Sequence, residues 1–154
     1  MHATKVRIID TMGALIGGFF GEPCLIARNV AAARPCPNGT TVVGTRIVTS
    51  PDMAAFANGT TARYMEMNDA YHSPGVFGGH PSDVLMPVLG VAEHVHASGR
   101  DLITAVALAY EIYLRVAHAV KMEGFDYTNY VSMGCSVASA KLFGLTREQI
   151  AHCL

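Results

Sequence analysis

Charged side chains are scarce in this sequence. Asp, Glu, Lys and Arg make up 15% of its 154 residues, whereas 51% are hydrophobic, and an ordinary soluble domain has about 25% charged residues. These charged residues are too few to cover the surface of a compact monomer. We therefore expect a second subunit, or the remainder of a longer protein, to cover part of that surface. The net charge of -1 offers no electrostatic basis for binding nucleic acid or an anionic membrane.

Cysteine patterns for metal binding are also missing. The sequence has four cysteines but no Cys-x-x-Cys pair, and their spacing fits neither a zinc nor an iron–sulfur framework. We interpret them as small apolar residues packed in a protein from a reducing compartment. They are Cys24, Cys36, Cys135 and Cys153.

The amino terminus lacks a secretory pattern, and the most apolar run does not resemble a membrane span. Near the amino terminus, Lys5 and Asp10 are interleaved with apolar residues at helical spacing, unlike a signal peptide. The most apolar run, residues 102–120, contains Glu111 and Arg115 one turn apart. This pair is more typical of a buried helix in a soluble protein than of a membrane span. We therefore expect a cytoplasmic protein with no membrane partner.

Apolar residues recur at helical spacing along most of the sequence, which predicts an all-α domain of about seven helices. The one β-like run covers residues 41–49 and is interrupted by Gly44, so we expect a short extended segment or a small hairpin there. The helix predicted over residues 3–20 is apolar on two faces, as is typical of an interior helix. Residues 130–143 are rich in alanine and serine, which favours close packing against another helix.

Two helix starts are clearly marked. Ser50, Pro51 and Asp52 supply a cap hydroxyl, a proline at the first helical position and an acid in the first turn. Thr146 and Gln149 match a capping box. They predict a helix that starts so close to residue 154 that it is barely complete there. We therefore expect residues 1–154 to be one helical domain from the amino-terminal part of a longer protein.

Residues 66–83 are the most polar stretch of this apolar sequence. They read EMNDAYHSPGVFGGHPSD, a loop broken by glycine and proline between two predicted helices. Loops held by rigid elements commonly carry functional side chains, because such loops can turn those side chains inward without interrupting a packed helix. We take this loop as the candidate site.

Glu66 and Asp69 would lie on one side of the helix if its last turn continued to them. Two acids near a histidine can abstract a proton next to a substrate carboxylate, but they can equally cap a helix end or bind backbone amides. His80 precedes a helix start that favours anions, so a substrate carboxylate could meet His80 and Ser82 there. The alternative for His80 is a hydrogen bond to a neighbouring carbonyl, and His72 has no obvious partner.

A metal site is a further alternative for this loop. Four side chains could supply ligands, but their spacing matches no specific metal pattern, so we expect no metal here. These are Glu66, Asp69, His72 and His80. His94 and His96 are two residues apart on a predicted helix and face apart, which argues against a shared metal.

The order of short motifs along the whole sequence resembles the MmgE/PrpD family, which includes 2-methylcitrate dehydratase, cis-aconitate decarboxylase and iminodisuccinate epimerase. The resemblance runs from near residue 3 to the end. The motifs that carry it are Ala54-Ala55-Phe56-Ala57-Asn58-Gly59, Glu66-Met67-Asn68-Asp69-Ala70-Tyr71, His80-Pro81-Ser82-Asp83, Gly99-Arg100-Asp101-Leu102, Ala109-Tyr110-Glu111 and Lys141-Leu142-Phe143-Gly144-Leu145.

This resemblance implies an all-helical domain from a longer, usually homodimeric protein, whose second, α/β domain closes over the site. It implies chemistry on small di- or tricarboxylates without a metal or organic cofactor. His80 matches the family's loop histidine, Glu66 and Asp69 match its acidic positions, and Tyr71 matches an aromatic position beside them. With these we group His72 and Ser82 as substrate-binding candidates. The Asn68-Asp69 and His80-to-Asp83 motifs resemble the dehydratase branch more than the decarboxylase branch.

Three positions depart from the family pattern. Glu66 stands where Asp is common, Ala70 where Thr is common, and Asp126 where His is often found. The family's lysine and a further histidine would lie beyond residue 154, so we expect residues 1–154 alone to be inactive. The sequence therefore favours a 2-methylcitrate dehydratase-like lyase and leaves three alternatives: a decarboxylase-like member, an epimerase-like member, or a non-catalytic helical dimerisation module.

Overall fold

The computed structural model describes residues 1–120 and 124–154. Helices dominate them, as the apolar spacing predicts, and the all-α class is confirmed. A short 3-10 turn, Pro81–Val84, leads into the fourth helix. The seven α-helices of the described residues are α1 (His2–Gly18), α2 (Glu22–Ala32), α3 (Pro51–Arg63), α4 (Leu85–His94), α5 (Gly99–Ala119), α6 (Thr128–Leu142) and α7 (Arg147–Ala151).

Two small antiparallel hairpins interrupt the helices. In the first, β1 (Pro35–Thr41) pairs with β2 (Val48–Thr49). The second lies inside the polar loop, where β3 (His72–Ser73) pairs with β4 (Val76–Phe77). The hairpin expected near residues 41–49 is present, but its first strand precedes the apolar run instead of occupying it.

Contacts with α4 explain where β1 lies. The Thr40 hydroxyl donates to the Gly90 carbonyl at 3.0 Å, and the Thr41 hydroxyl donates to Glu93 Oε1 at 2.6 Å. Gly44 has a φ of 79°, and the Thr45 hydroxyl donates to the Val42 carbonyl at 2.7 Å, so the apolar run turns back on itself. Tertiary contacts thus override the local β preference.

The main core lies where α4, α5 and α6 meet, with α1 and α3 on its flanks. Tyr113 of α5 is fully buried, stacks edge-on against Tyr130 of α6, and donates its hydroxyl proton to the Gly78 carbonyl in the polar loop. The core therefore reaches directly to the candidate site. Its other fully buried side chains include Leu15, Val84, Leu85, Met86, Val88 and Val106.

The interior position expected for α1 is wrong. The helix buries only one face, while Ile9 and Ile16 are each 71% exposed and Phe20, just beyond it, is 84% exposed. The cause is that α3 and α5 cover α1 from one side only in the described chain. An apolar stripe is therefore left at the surface of the described chain.

The long helix α5 starts with a capping box in which Ser98 and Asp101 exchange hydrogen bonds. Glu111 and Arg115 form the expected ion pair, with 2.5 Å between Arg115 Nη2 and Glu111 Oε1. In the described residues, α5 is long and apolar enough to cross a membrane, and α1 and α2, bent by 97°, pass the same test only as a pair. Core helices of soluble proteins also pass it, and α5 contributes several core residues.

Close packing between α5 and α6 depends on Gly134. A Cβ atom added at Gly134 would lie 2.7 Å from the Ala109 carbonyl oxygen. We predict that Gly134→Ala lowers the free energy of unfolding by about 1–3 kcal/mol, because two backbones must move apart. Urea unfolding measures this. The control is Gly99→Ala, whose added Cβ would meet nothing within 4 Å; equal losses in both variants would contradict the close packing.

Candidate functional site

The polar loop leaves α3 in a backbone conformation that ends the helix. Helix α3 stops at Arg63, and Glu66 has a φ of 52°, in the left-handed region. Residues with side chains rarely adopt this conformation. The helical turn assumed for Glu66 and Asp69 therefore does not continue, and the expectation that they share one side of a helix is wrong.

Arg63 holds both ends of the loop. Its Nη2 lies 3.2 Å from Glu66 Oε1, its Nη1 donates to Asn68 Oδ1 at 3.1 Å, and its Nε lies 3.3 Å from Asp83 Oδ1. The Glu66 side chain remains 71% exposed despite this contact. One guanidinium thus fixes the beginning of the loop against its end, while the Glu66 carboxylate stays accessible.

The Asp69 carboxylate has two protein partners. Its Oδ1 accepts a hydrogen bond from the Ser82 backbone N–H at 2.9 Å, and its Oδ2 accepts one from the Tyr110 hydroxyl at 3.0 Å. Burial and the nearby Asp69 charge raise the pKa of Tyr110, so the phenol remains a donor. Asp69 binds a backbone amide, as one of the two sequence interpretations expected, and ties the loop to α5.

His80 is oriented by the same residue. Its Nδ1 lies 2.7 Å from the Asp69 carbonyl oxygen. A carbonyl only accepts hydrogen bonds, so Nδ1 must carry the proton, which leaves Nε2 as the acceptor in the neutral ring. The ring packs edge-on against Tyr127, with 5.7 Å between centroids. His80 can therefore take up or release a proton at Nε2.

The other two candidates from the middle of the loop lie apart from His80. The Tyr71 hydroxyl is 2.5 Å from Nε2 of His118, on α5, and its backbone N–H donates to the Gly79 carbonyl. His72 lies in β3 with an exposed side chain. Sequence reasoning missed His118, because no local spacing connects positions 47 residues apart.

Cavities lie on both sides of the loop. A cavity of about 380 Å³ lies toward α1 and α5, and its lining includes Arg7, Tyr71 and Tyr110. A smaller cavity of about 200 Å³ lies toward α3, lined in part by Arg63 and Ser82. We call the second one the α3 cavity. The loop is therefore accessible to small molecules from both sides.

Ser82 is buried and the Asp83 side chain is only 15% exposed. Ser82 is 2% exposed, and its hydroxyl has no hydrogen-bond partner among the described residues. Burial raises the pKa of Asp83, while the Arg63 charge and a hydrogen bond from Tyr127 act against that shift. The Tyr127 hydroxyl donates to Asp83 Oδ2 at 3.1 Å. Asp83 was not singled out from the sequence, since nothing local shows its burial.

The side chains considered for a metal do not converge. Among residues 1–120 and 124–154, no group of three or more His, Cys, Asp or Glu side chains is placed to hold a metal ion. The Glu66 carboxylate pairs with Arg63, and the Asp69 carboxylate accepts hydrogen bonds from Ser82 and Tyr110. The His72 side chain is exposed at the surface. The four candidate ligands therefore do not meet at one point in the described chain.

Fold and loop together define a helical domain with one polar, histidine-bearing loop tied to its core. The MmgE/PrpD N-terminal domain family matches residues 1–154, and the chain belongs to this family. The resemblance seen in the sequence motifs is confirmed.

Relatives from yeasts, moulds and bacteria are similar over nearly the whole chain. The mitochondrial 2-methylcitrate dehydratase of Yarrowia lipolytica is 28% identical over 168 residues, covering 100% of this chain and 32% of that protein. The 2-methylcitrate dehydratase of Escherichia coli K12 is 28% identical over 158 residues, which cover 94% of this chain and 32% of that protein. Alkylcitrate dehydratase phiI of Talaromyces stipitatus is 28% identical over 167 residues, which cover 96% of this chain and 35% of that protein. The chain spans about a third of the length of these relatives.

The raised pKa of Asp83 leads to a pH prediction. The folded state holds this proton more tightly than the unfolded state, so Asp83 reduces stability as the pH rises from its ordinary pKa of 3.8 through its raised pKa. We predict that the Tm of Asp83→Asn relative to the unsubstituted protein increases between about pH 4 and pH 7. Thermal unfolding at several pH values measures this.

Asp101→Asn is the control for this series. The Ser98 side chain lowers the pKa of Asp101 below 3.8, so that carboxyl stays ionised throughout the range tested. Its Tm difference from the unsubstituted protein should therefore stay flat. A flat difference for Asp83→Asn as well would contradict a buried carboxyl that favours its protonated form.

Proposed function

We propose that this chain is the helical, amino-terminal part of a cofactor-independent lyase that dehydrates a small tricarboxylic acid of the 2-methylcitrate type. The observation that carries the proposal is the orientation of His80, whose Nδ1 is held by the Asp69 carbonyl and whose Nε2 is left for proton transfer. The names of the relatives support the substrate class. The dehydratase-like motifs at residues 68–69 and 80–83 agree with them.

The proposed reaction needs one base and one acid. A carboxylate removes a proton from the carbon next to a substrate carboxylate, and the electrons of that C–H bond form the new C=C bond. The C–O bond on the neighbouring carbon breaks, and the departing hydroxyl leaves as water by taking the Nε2 proton of a doubly protonated His80 ring, which returns to the neutral form with its proton on Nδ1. Glu66 is the better base, because its carboxylate is 71% exposed despite its contact with Arg63, whereas the Asp69 carboxylate is held by Ser82 and Tyr110.

The rest of the site would come from outside this chain. Arg63 is already shared among Glu66, Asn68 and Asp83, and a substrate with three carboxylates needs more positive charge than one shared guanidinium supplies. We propose that a second domain, encoded beyond residue 154, closes over the loop and supplies it. This accords with a chain that spans about a third of its relatives.

His80→Asn tests the proton-transfer role most directly. The asparagine amide can still donate to the Asp69 carbonyl, but it has no group equivalent to Nε2. In the complete protein expressed from the full reading frame, we predict that kcat for 2-methylcitrate falls by about 10²–10⁴-fold, with little change in Tm. Citrate and cis-aconitate should be assayed in parallel, to separate dehydratase from decarboxylase activity.

The matched control is His72→Asn, which changes an exposed histidine of the same loop. We expect this variant to lose much less activity than His80→Asn. Undiminished turnover by His80→Asn would refute the role given to His80. Equal losses in both variants would point to loop disruption instead.

We also propose that a second copy of this chain covers the exposed face of α1. The residues of this face, which we call the α1 stripe, are separated by alternating steps of three and four, the spacing of a two-helix seam. Lys5 and Asp10 flank the stripe with opposite charges, so each could pair with the other on a facing copy of α1. The stripe consists of Val6, Ile9, Gly13, Ile16 and Phe20.

We predict that Ile9→Glu combined with Ile16→Glu converts a dimer of the complete protein into a monomer, because charges would replace the centre of the apolar seam. Light scattering after size exclusion measures the mass. Phe143→Glu is the control, since Phe143 is an exposed apolar residue away from α1. A monomeric unsubstituted protein, or a double variant that stays dimeric, would refute this interface.

A non-catalytic dimerisation module is the second candidate function. The exposed α1 stripe favours it, as do the three departures at Glu66, Ala70 and Asp126. Addition of tricarboxylates separates the two candidates, because a ligand that binds only the folded state raises Tm. A rise supports a working pocket, and dimerisation without any rise supports the module.

A further inference from the structure

The α3 cavity combines an apolar wall with a few polar groups. Gly59 and Ala62 of α3 face Met86 of α4 across about 200 Å³, and Arg63 and Ser82 also line the space. A water molecule occupies about 30 Å³ in the liquid, so the cavity has room for a small organic group. Arg63, which lines the cavity, also contacts the exposed carboxylate of Glu66.

Two buried polar atoms at this cavity lack hydrogen-bond partners in the described chain. They are the Ser82 hydroxyl oxygen and Asp83 Oδ1, although Arg63 Nε lies 3.3 Å from the latter. A buried polar atom without a partner destabilises the fold. The Ser82 backbone N–H is already bound to Asp69, so the hydroxyl is the part of Ser82 left to bind something in the cavity.

Arg63 also keeps donor capacity at the cavity. A guanidinium has five N–H groups, and Arg63 makes four contacts, from Nε to Asp83, from Nη1 to Asn68 and from Nη2 to both oxygens of Glu66. Nη1 has one acceptor in the described chain, so its second hydrogen is left. A substrate carboxylate could therefore accept a charge-assisted hydrogen bond from Nη1 of Arg63 without displacing the loop contacts.

Gly59 lines the cavity without a side chain. It lies inside α3, where glycine is less favourable than alanine. A Cβ atom at this position would meet nothing within 4 Å, so packing does not require glycine here. This contrasts with Gly134, where the neighbouring backbone excludes a side chain. The effect of glycine at position 59 is to leave apolar space within the cavity.

We propose that the α3 cavity is the subsite for the alkyl branch of an alkyl-substituted tricarboxylic acid. The branch lies against Gly59, Ala62 and Met86, and the Ser82 hydroxyl and Arg63 bind the carboxylate next to it. This inference rests on the proposed function and adds to it the feature that separates 2-methylcitrate from citrate, which lacks the branch. A hydrophobic pocket discriminates one methyl group by about 10–200-fold.

Filling the cavity from Gly59 tests this subsite. In the complete protein, we expect Gly59→Ala to reduce the ratio of kcat/KM for 2-methylcitrate over citrate by about 10-fold, and Gly59→Leu to reduce it further. Both variants should raise Tm, by about 2 °C for Gly59→Ala, because alanine and leucine favour the helix over glycine. Loss of selectivity would thus occur in a more stable protein, which separates it from misfolding.

Gly99→Ala is the matched control. It makes the same substitution in a helix, at a position where an added Cβ also meets nothing within 4 Å, but outside the cavity lining. Its selectivity ratio should equal that of the unsubstituted protein. The subsite is refuted if Gly59→Leu lowers kcat/KM equally for both substrates, or leaves the ratio unchanged while Tm rises.

Ser82→Ala examines the polar half of the subsite. Removing a hydroxyl that has no protein partner should leave Tm unchanged or slightly higher. If the hydroxyl binds substrate, KM for 2-methylcitrate should rise by about 10-fold, the loss expected for one hydrogen bond. An unchanged KM together with an unchanged Tm would refute the contribution of Ser82.

Thermal stabilisation separates failure of the subsite from failure of the proposed lyase activity. If the unsubstituted protein turns over neither acid, the rise in Tm caused by 2-methylcitrate is compared with that caused by citrate. A larger rise with 2-methylcitrate that Gly59→Leu abolishes would support the subsite while overturning the lyase. No rise with either acid would overturn both.

Discussion

The Arg63 guanidinium is the contact on which the geometry of the loop depends. It stands at the end of α3 and reaches Glu66 and Asn68 at the beginning of the loop and Asp83 at its end. A planar fork of donors can hold several acceptors in fixed directions, which the point charge of a lysine cannot do. The loop therefore closes around one side chain, and Glu66 is held at the surface while Asp83 is drawn inside.

Three phenols complete the attachment of the loop to the helical core. Tyr110 and Tyr113 of α5 donate to the Asp69 carboxylate and the Gly78 carbonyl, and Tyr127, just before α6, donates to Asp83. Burial raises the pKa of all three, to about 12 for Tyr127. Each hydroxyl thus remains protonated over the physiological range and keeps its donor role. The loop is irregular in its backbone but anchored at several points.

The surface of this domain agrees with its composition. Charged residues are few, and the structure leaves large apolar side chains exposed along α1 and on into α2, including Leu25 and Ile26. Burying such a face removes apolar area from water, which favours association. The same chain thus carries a polar loop and an exposed apolar face on separate elements.

Local spacing was enough to predict several features of this protein. The helices follow from apolar periodicity, and the α7 start follows from the Thr146 and Gln149 capping box, which the structure contains. The polar loop between α3 and α4 was also located from sequence. These features depend on contacts within about four residues, which the sequence displays directly.

Tertiary structure alone decided the rest. It placed β1 against α4, exposed one face of α1, and separated Glu66 from Asp69. It brought Asp69 to Tyr110 across 41 residues and Tyr71 to His118 across 47. Such pairings depend on how whole helices pack, and no local pattern records that packing. The sequence by itself determined that a helical domain carries this loop, and the packed structure decided which atoms of the loop are buried, bonded or accessible.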